Sequence, residues 1–374
     1  MRPMDANYPY YYNLHKDRIA RQSAEPRDAA RLFVYDTTRD EITFDTFANL
    51  GAHLPKKSLL VLNDTKVVPA RVMLKKETGG KIEVLFLVNE WQQTPDKPIP
   101  ALVDRKITIG AQLFFKDPNA KITFTVARQD ENIFYLTPSF SNLKSRSNPA
   151  QELFKLLDKN GVTPLPKYIK NTGIGEAALR KKYQAVFGKN PASVAAPTAS
   201  LHFTEHLLAK LEKSGVEKTF VTLNVGLGTF APVSAESLAS GTLHTEFLTI
   251  PAQSRVTIAA HKYAGEPVVA VGTTVVRTLE AEAVKILSTS NNGDITDATQ
   301  IFIRPPYDFK IVDAMITNFH LPDTSLMMLV QAFLEHKNIS AQKQKKTRSL
   351  VDLYEIAIKE KFRFYSFGDA MLIK

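Results

Sequence analysis

The chain has 374 residues, 44% hydrophobic and 23% charged; this is too long for one ordinary core and too short for three, so two domains are expected. No run of about 18 apolar residues suggests a membrane-spanning helix, and the start, with Tyr8, Tyr10, Tyr11 and Tyr12, does not read as a secretory signal, so a cytoplasmic location is expected. The absence of cysteine excludes disulfides, thiolate metal sites, iron-sulfur clusters and cysteine nucleophiles, while a net charge of +10 favours polyanionic partners, nucleic acid foremost.

The first strand signal is Arg31 to Asp36. Residues 59 to 72 read as a buried strand, a polar Asn63-Asp64-Thr65 turn and a short strand ending near Pro69 and Arg71. Apolar residues then alternate at Ile82, Val84, Phe86 and Val88, and at Ile122, Phe124 and Val126, with a further strand from Ile133 to Leu136. Period-two runs at short spacing predict a small antiparallel, barrel-like β domain over residues 67–157. Beyond it, helical patterns (Thr204 to Lys213, Val275 to Leu287, Ser325 to Glu335, Leu350 to Lys361) alternate with strand patterns (Phe220 to Val225, Val268 to Val271, Ile301 to Ile303, Met315 to Thr317). The expected fold class is therefore α/β, with a larger α/β domain (residues 1–66 and 158–374) carrying the β domain as an insertion. Ser288 to Thr299 and the lysine-rich Lys337 to Ser349 read as peripheral polar loops.

Four segments place small, hydroxyl and ionisable residues at strand ends, where α/β proteins bind ligands. In Ser193 to Phe203, Thr198, Ser200 or Thr204 are candidate helix caps and His202 is a candidate general base, although a structural histidine suits the position too. Thr222 to Phe230 ends in Gly226-x-Gly228-Thr229, whose bare backbone can approach a ligand; His244 and Glu246 follow, on one face if that run is a strand. Val268 to Glu280 forms a strand, a Gly272-Thr273-Thr274 turn and a helix, suited to a carboxylate or phosphate, with Arg277 able to add a bidentate contact. The plainer reading has Thr273 or Thr274 capping the helix and Arg277 pairing with Glu280. Asp313 to Ser325 brings Asn318 and His320 to a strand end, before a helix capped by Asp323 or Thr324. The absence of HExxH, GxSxG and P-loop motifs and of metal-spaced histidines disfavours zincins, α/β-hydrolases and P-loop enzymes.

Several blocks, in order along the chain, resemble the S-adenosylmethionine:tRNA ribosyltransferase-isomerase family of queuosine biosynthesis. They include Pro26 to Arg31, Leu62 to Arg71, Gly80 to Val84, Pro164 to Ile169, Tyr183-Gln184, Ser193 to Phe203, Gly226 to Pro232, Gly272 to Glu280, Phe309 to Leu326 and Phe364 to Ile373. The resemblance implies ribosyl transfer from S-adenosylmethionine, as co-substrate and without a metal, to 7-aminomethyl-7-deazaguanine at the wobble position of tRNA. Epoxyqueuosine would form, and adenine and methionine would leave. A monomer with no membrane partner is expected. Such chemistry needs a base for the carbon beside the sulfonium, help for adenine departure, and exclusion of water.

On this resemblance His202 is the leading base candidate, with His244, Glu246 and His320 as competitors. Thr198, Phe203, Gly226, Gly228, Thr229, Gly272, Thr273, Thr274, Arg277 and Asn318 would line the co-substrate pocket. Asp64, Arg71 and Tyr183 would contact the substrate at the domain junction. The chain departs from the family pattern at Ser200, Asn224, Leu227 and Phe247, and lacks a Gly-Trp pair near Ala298-Thr299-Gln300. These departures bear on substrate handling and keep a non-catalytic tRNA-binding paralogue as the alternative; a methyltransferase is disfavoured because the glycine-rich fingerprint is missing.

Overall fold

The computed structural model describes residues 10–91, 94, 96–117, 120, 122–141, 148–166, 168–169, 172–226, 233–288, 293–322, 324–340 and 348–374. Its strands begin with β1 (Arg31–Asp36), β2 (Glu41–Thr46), β3 (Leu59–Asn63) and β4 (Thr65–Val67). Six follow in the barrel: β5 (Arg71–Lys76), β6 (Lys81–Phe86), β7 (Ile99–Val103), β8 (Gln112–Phe115), β9 (Ile122–Asp130) and β10 (Ile133–Phe140). The remainder are β11 (Asn190–Ser193), β12 (Glu217–Leu223), β13 (Thr242–Ile250), β14 (Val268–Val271), β15 (Ile295–Ile301), β16 (Ala314–Asn318) and β17 (Ala370–Ile373).

The main sheet has the order β15-β13-β12-β3-β14-β16-β17-β1-β2. Its central strands β12, β3, β14 and β16 are parallel, and β3, β14 and β16 are buried along their whole length. Such strands must be apolar on both faces because helices cover both sides. Leu59 and Val61, with Val268 and Ala270, face a core shared with the helices Ala252–Tyr263, Thr273–Ala281, Ser325–Ser340 and Leu350–Lys359. Leu60 and Leu62, with Val269 and Val271, face the opposite core, closed by the helix Glu205–Lys213. The alternation of neighbouring residues between two cores follows from the strand period.

The inserted unit is a closed antiparallel barrel of order β10-β7-β6-β5-β8-β9, as the alternating pattern predicts. Val72, Leu74, Ile82, Val84, Phe124 and Val126 fill its core, and Phe86 and Phe124 pack with ring centroids 4.9 Å apart. The chain enters and leaves the barrel at one place. Val162 donates its N–H to the Arg71 carbonyl at 2.8 Å, and a Cβ on Gly161 would fall 1.8 Å from the Pro69 carbonyl oxygen.

The structure revises several local expectations. The polar segment after Ser288 contains an edge strand, β15, paired antiparallel with β13; one side of it faces water, so its apolar signal is thin. The pattern from Val275 to Leu287 is two helices, Thr273–Ala281 and Ala283–Leu287, broken at Glu282. Lys337 lies inside the helix Ser325–Ser340 and donates to the Asp313 carbonyl at 3.1 Å, so the polar loop starts later than expected; residues 341–347 lie outside the described residues.

Candidate active site

The parallel strands β14 and β16 end at one edge of the sheet, and the chain reverses there through residues chosen for backbone shape. Gly272 follows β14 with φ 93°, a region costly for residues bearing a Cβ, and is itself the N-cap of the helix Thr273–Ala281. Neither Thr273 nor Thr274 makes a side-chain cap, contrary to the plainer expectation. Their side chains instead border a cleft with Thr198, Asn318, His320 and Leu326. Thr204, not Thr198 or Ser200, caps the helix Glu205–Lys213 by accepting from the Leu207 N–H at 3.0 Å, which leaves Thr198 at the cleft. A second compartment shares Thr198, Asn318 and His320 and adds Tyr168, Tyr365 and Ser366. The compartments measure about 30 and 20 Å³, against the ~300–1,000 Å³ of a typical ligand site, so their walls must part to admit a nucleoside.

Asn318 organises this cleft. Its Nδ2 stands 3.1 Å from His202 Nε2 and donates to the Tyr365 carbonyl at 3.3 Å. Its Oδ1 is buried and has no hydrogen-bond partner among the described residues, an acceptor that a ligand can satisfy. His320 borders both compartments. Its Nε2 lies 2.7 Å from Thr317 Oγ1, its N–H donates to Tyr354 Oη at 3.0 Å, and its carbonyl accepts from Tyr12 Oη. Burial lowers its pKa to about 3, so the imidazole is neutral.

His202 borders neither compartment. It stands behind Asn318 with its ring 5.1 Å from that of Phe47. Burial lowers its pKa to about 4, outweighing the opposing pull of Asp369. Phe203 is fully buried against Phe47, ring centroids 5.0 Å apart, and also borders neither compartment.

Glu246 and Arg277 meet as a buried ion pair, so the guanidinium partner is not Glu280, whose carboxylate accepts the N–H groups of Lys310, Ile311 and Val312. Arg277 Nε and Nη2 have no partner among the described residues. His244 and Glu246 end in different surroundings. The β13 register shifts between Thr242 and Glu246, leaving Glu246 buried while His244 borders a cavity of about 640 Å³ between the barrel and β13. Gly226 passes the barrel so closely that a Cβ there would lie 2.9 Å from Asn89 Nδ2; Gly228 and Thr229 lie outside the described residues.

The three junction candidates fall in different surroundings. Asp64 accepts from Thr222 Oγ1 at 2.6 Å and Asn190 Nδ2 at 3.0 Å, tying β12 and β11 to the turn after β3. Arg71 pairs with Glu83 at 2.7 Å within the barrel. Tyr183 is fully buried and borders a separate cleft of about 370 Å³ with Arg27 and Lys66. Sequence reasoning overlooked Thr317, Tyr168, Tyr365 and Ser366 as site residues; all four fall inside the blocks Pro164 to Ile169, Phe309 to Leu326 and Phe364 to Ile373, which carried the signal. Among the described residues no group of three or more His, Asp or Glu is arranged to hold a metal, and no helix is long and apolar enough to cross a membrane.

The chain is similar throughout its length to proteins of known family. The S-adenosylmethionine:tRNA ribosyltransferase-isomerase of Thermosipho melanesiensis is 40% identical over 372 residues, covering 98% of this chain and 99% of that protein. The crystal structure of the S-adenosylmethionine tRNA ribosyltransferase of Thermotoga maritima is 28% identical and matches with a TM-score of 0.50, covering 98% of this chain and 99% of that one. Since the model of the queuosine biosynthesis protein family also matches residues 8–373, the chain belongs to the S-adenosylmethionine:tRNA ribosyltransferase-isomerase family of queuosine biosynthesis.

Proposed function

We propose that the protein transfers the ribosyl moiety of S-adenosylmethionine to the aminomethyl group of 7-aminomethyl-7-deazaguanine at the wobble position of tRNA and isomerises it, giving epoxyqueuosine, adenine and methionine. The observation that carries this reading is the strand-end cleft, where an unsatisfied Asn318 Oδ1 and the neutral imidazole of His320 adjoin the Gly272-Thr273-Thr274 turn. Asn318 Oδ1 suits the exocyclic amine of adenine, an N–H donor. Arg277 lies one turn beyond Thr273, behind the two compartments, and its buried Nε and Nη2, unpartnered among the described residues, suit the carboxylate of the methionine moiety once the cleft opens. His320 takes the proton from the carbon beside the sulfonium, which the positive sulfur acidifies; burial in the closed cleft lowers the basicity of this imidazole, and parting of the walls relieves that burial. His202 is then a positioning residue that fixes the Asn318 amide. The net charge of +10 supports a polyanionic second substrate.

The test is incubation of the purified protein with S-adenosylmethionine and tRNA carrying the aminomethyl-deazaguanine base, followed by nucleoside mass spectrometry. Epoxyqueuosine and adenine in equal amounts are expected. Intact S-adenosylmethionine beside tightly bound tRNA would overturn the assignment in favour of an RNA-binding protein. His320→Ala should abolish turnover in a folded protein, whereas near-normal turnover would remove it from the base role.

A further inference from the structure

A cavity far larger than the strand-end cleft lies between the barrel and β13; it measures about 640 Å³ and is large enough for a nucleoside. On the barrel side the Arg128 guanidinium carbon lies 3.4 Å over the centroid of the Tyr135 ring; on the sheet side stand His244 and Phe247. Planar groups on two walls are what an unstacked nucleobase needs, since aromatic rings and guanidinium planes replace its lost stacking partners.

The cavity also holds an unusual acceptor. Glu90 belongs to the helix Val88–Trp91, which packs against the barrel, and its side chain borders the cavity. Among the described residues no ion pair reaches its carboxylate, and burial alone pushes its pKa up. Glu90 is half-buried, so its carboxylate is partly stripped of water yet open to the cavity, where an N–H donor of a ligand makes a charge-assisted bond to it. Two oxygens side by side match two parallel N–H donors, the pattern that the N1–H and N2–H₂ groups of a guanine-type base present on one edge. Adenine has no such pair, and hypoxanthine has half of it.

We infer that the barrel cavity is a nucleobase pocket for a flipped-out guanine-type base of the RNA substrate, stacked on the Arg128–Tyr135 pair and read along its N1–H/N2–H₂ edge by Glu90. This rests on the proposed tRNA reading and deepens it.

The chain contains a single tryptophan, Trp91, which lines this cavity and donates Nε1–H to the Lys97 carbonyl at 2.8 Å. Its fluorescence therefore reports on the pocket without a label. The full-length protein is titrated with anticodon stem-loop RNAs carrying guanosine, inosine or adenosine at the wobble position, following both Trp91 emission and gel mobility. Guanosine should change the emission and bind about tenfold more tightly than inosine, and adenosine more weakly still, the loss expected for one or both bonds of a bidentate base contact. Glu90→Gln should weaken guanosine binding about tenfold and reduce the guanosine-to-inosine ratio to about one. Tyr135→Leu, which keeps an apolar wall, should weaken all three RNAs about tenfold without altering their ratios.

RNA that shifts on the gel without changing Trp91 emission is bound elsewhere and overturns the pocket, as does a Glu90→Gln protein that still prefers guanosine. Epoxyqueuosine formation in those same preparations would show that the catalytic reading survives. Base discrimination through Glu90 in a protein that leaves S-adenosylmethionine intact would support the pocket and overturn the catalytic reading instead.

Discussion

Replacing Glu246 with glutamine removes the charge that faces Arg277 while keeping the volume of the side chain. Both partners are about 95% or more buried, with relative exposures of 3% and 5%, and Arg277 Nε and Nη2 have no other partner to share the charge among the described residues. Breaking a buried pair by removing one partner costs about 3–5 kcal/mol; because the amide can still accept a hydrogen bond, about 3 kcal/mol is the expected loss. At roughly 2–4 °C per kcal/mol for a large domain, the melting temperature should fall by roughly 6–12 °C. Thermal unfolding of Glu246→Gln, Arg277→Met and the double variant forms the assay. The double variant should recover part of that loss, because a glutamine facing a methionine leaves no buried charge although it leaves a buried amide, yet it should still lose affinity for S-adenosylmethionine with Arg277 gone. A Glu246→Gln protein that melts within about 2 °C of wild type would refute the reasoning, showing that water or another group already compensates the guanidinium.

Acid should destabilise the protein through its buried histidines. His202 and His320, with pKa values lowered to about 4 and about 3, stay neutral in the fold but take up protons in the unfolded chain below about pH 6.5. Stability is therefore full above pH 6.5 and falls toward pH 4 by about 1.4 kcal/mol per pH unit for each histidine; urea titrations of wild type and His320→Asn at pH 7 and 5 should differ in slope by that amount. Gly226→Ala places a methyl 2.9 Å from Asn89 Nδ2 and should cost about 1–3 kcal/mol, most of it recovered in the Gly226→Ala/Asn89→Ala double variant; equal stability of single and double would sink this account. At Gly161 the obstacle is the Pro69 carbonyl, 1.8 Å from the added carbon, so Gly161→Ala should yield little folded protein and no side-chain variant should rescue it. In steady-state assays Asn318→Ala should raise the KM for S-adenosylmethionine more than it changes the KM for tRNA, and an equal effect on both would contradict its place in the co-substrate cleft.

What could be read in advance follows from how local the physics is. Val268 to Val271 is a contiguous apolar run, three valines and an alanine, between Pro267 and Gly272, and the observed strand has those limits. The barrel strands β5 and β8 and much of β9 and β10 alternate because one side faces a closed core and the other water, whereas β6 and β7 carry runs of three buried residues. By contrast, Ile295–Ile301 pairs at the sheet edge with polar residues along most of its length, and nothing local distinguishes it from a loop. At the site, Asn318 and His320 sit where a strand end must place them. The partner of Arg277 was not legible, since Glu280 is its neighbour on the helix whereas Glu246 reaches it across 31 residues of chain. Asn89 and Glu90 carry no motif at all; only the docking of the barrel against the sheet gives them a cavity to face.

The single point of attachment of the barrel also bears on how the chain folds. β3 and β12 are adjacent in the main sheet, yet the barrel lies between them in sequence, so their pairing must close a long loop. Once the barrel has formed, the bridge between Arg71 and Val162 takes roughly 90 of the roughly 150 residues between β3 and β12 out of that loop, a little over one halving of its length and roughly 0.8 kcal/mol less closure entropy to overcome. A barrel that folds first thus acts as a clasp that brings the two halves of the sheet within reach, and lesions such as Gly161→Ala should slow assembly of the distant sheet as well as weaken the neck.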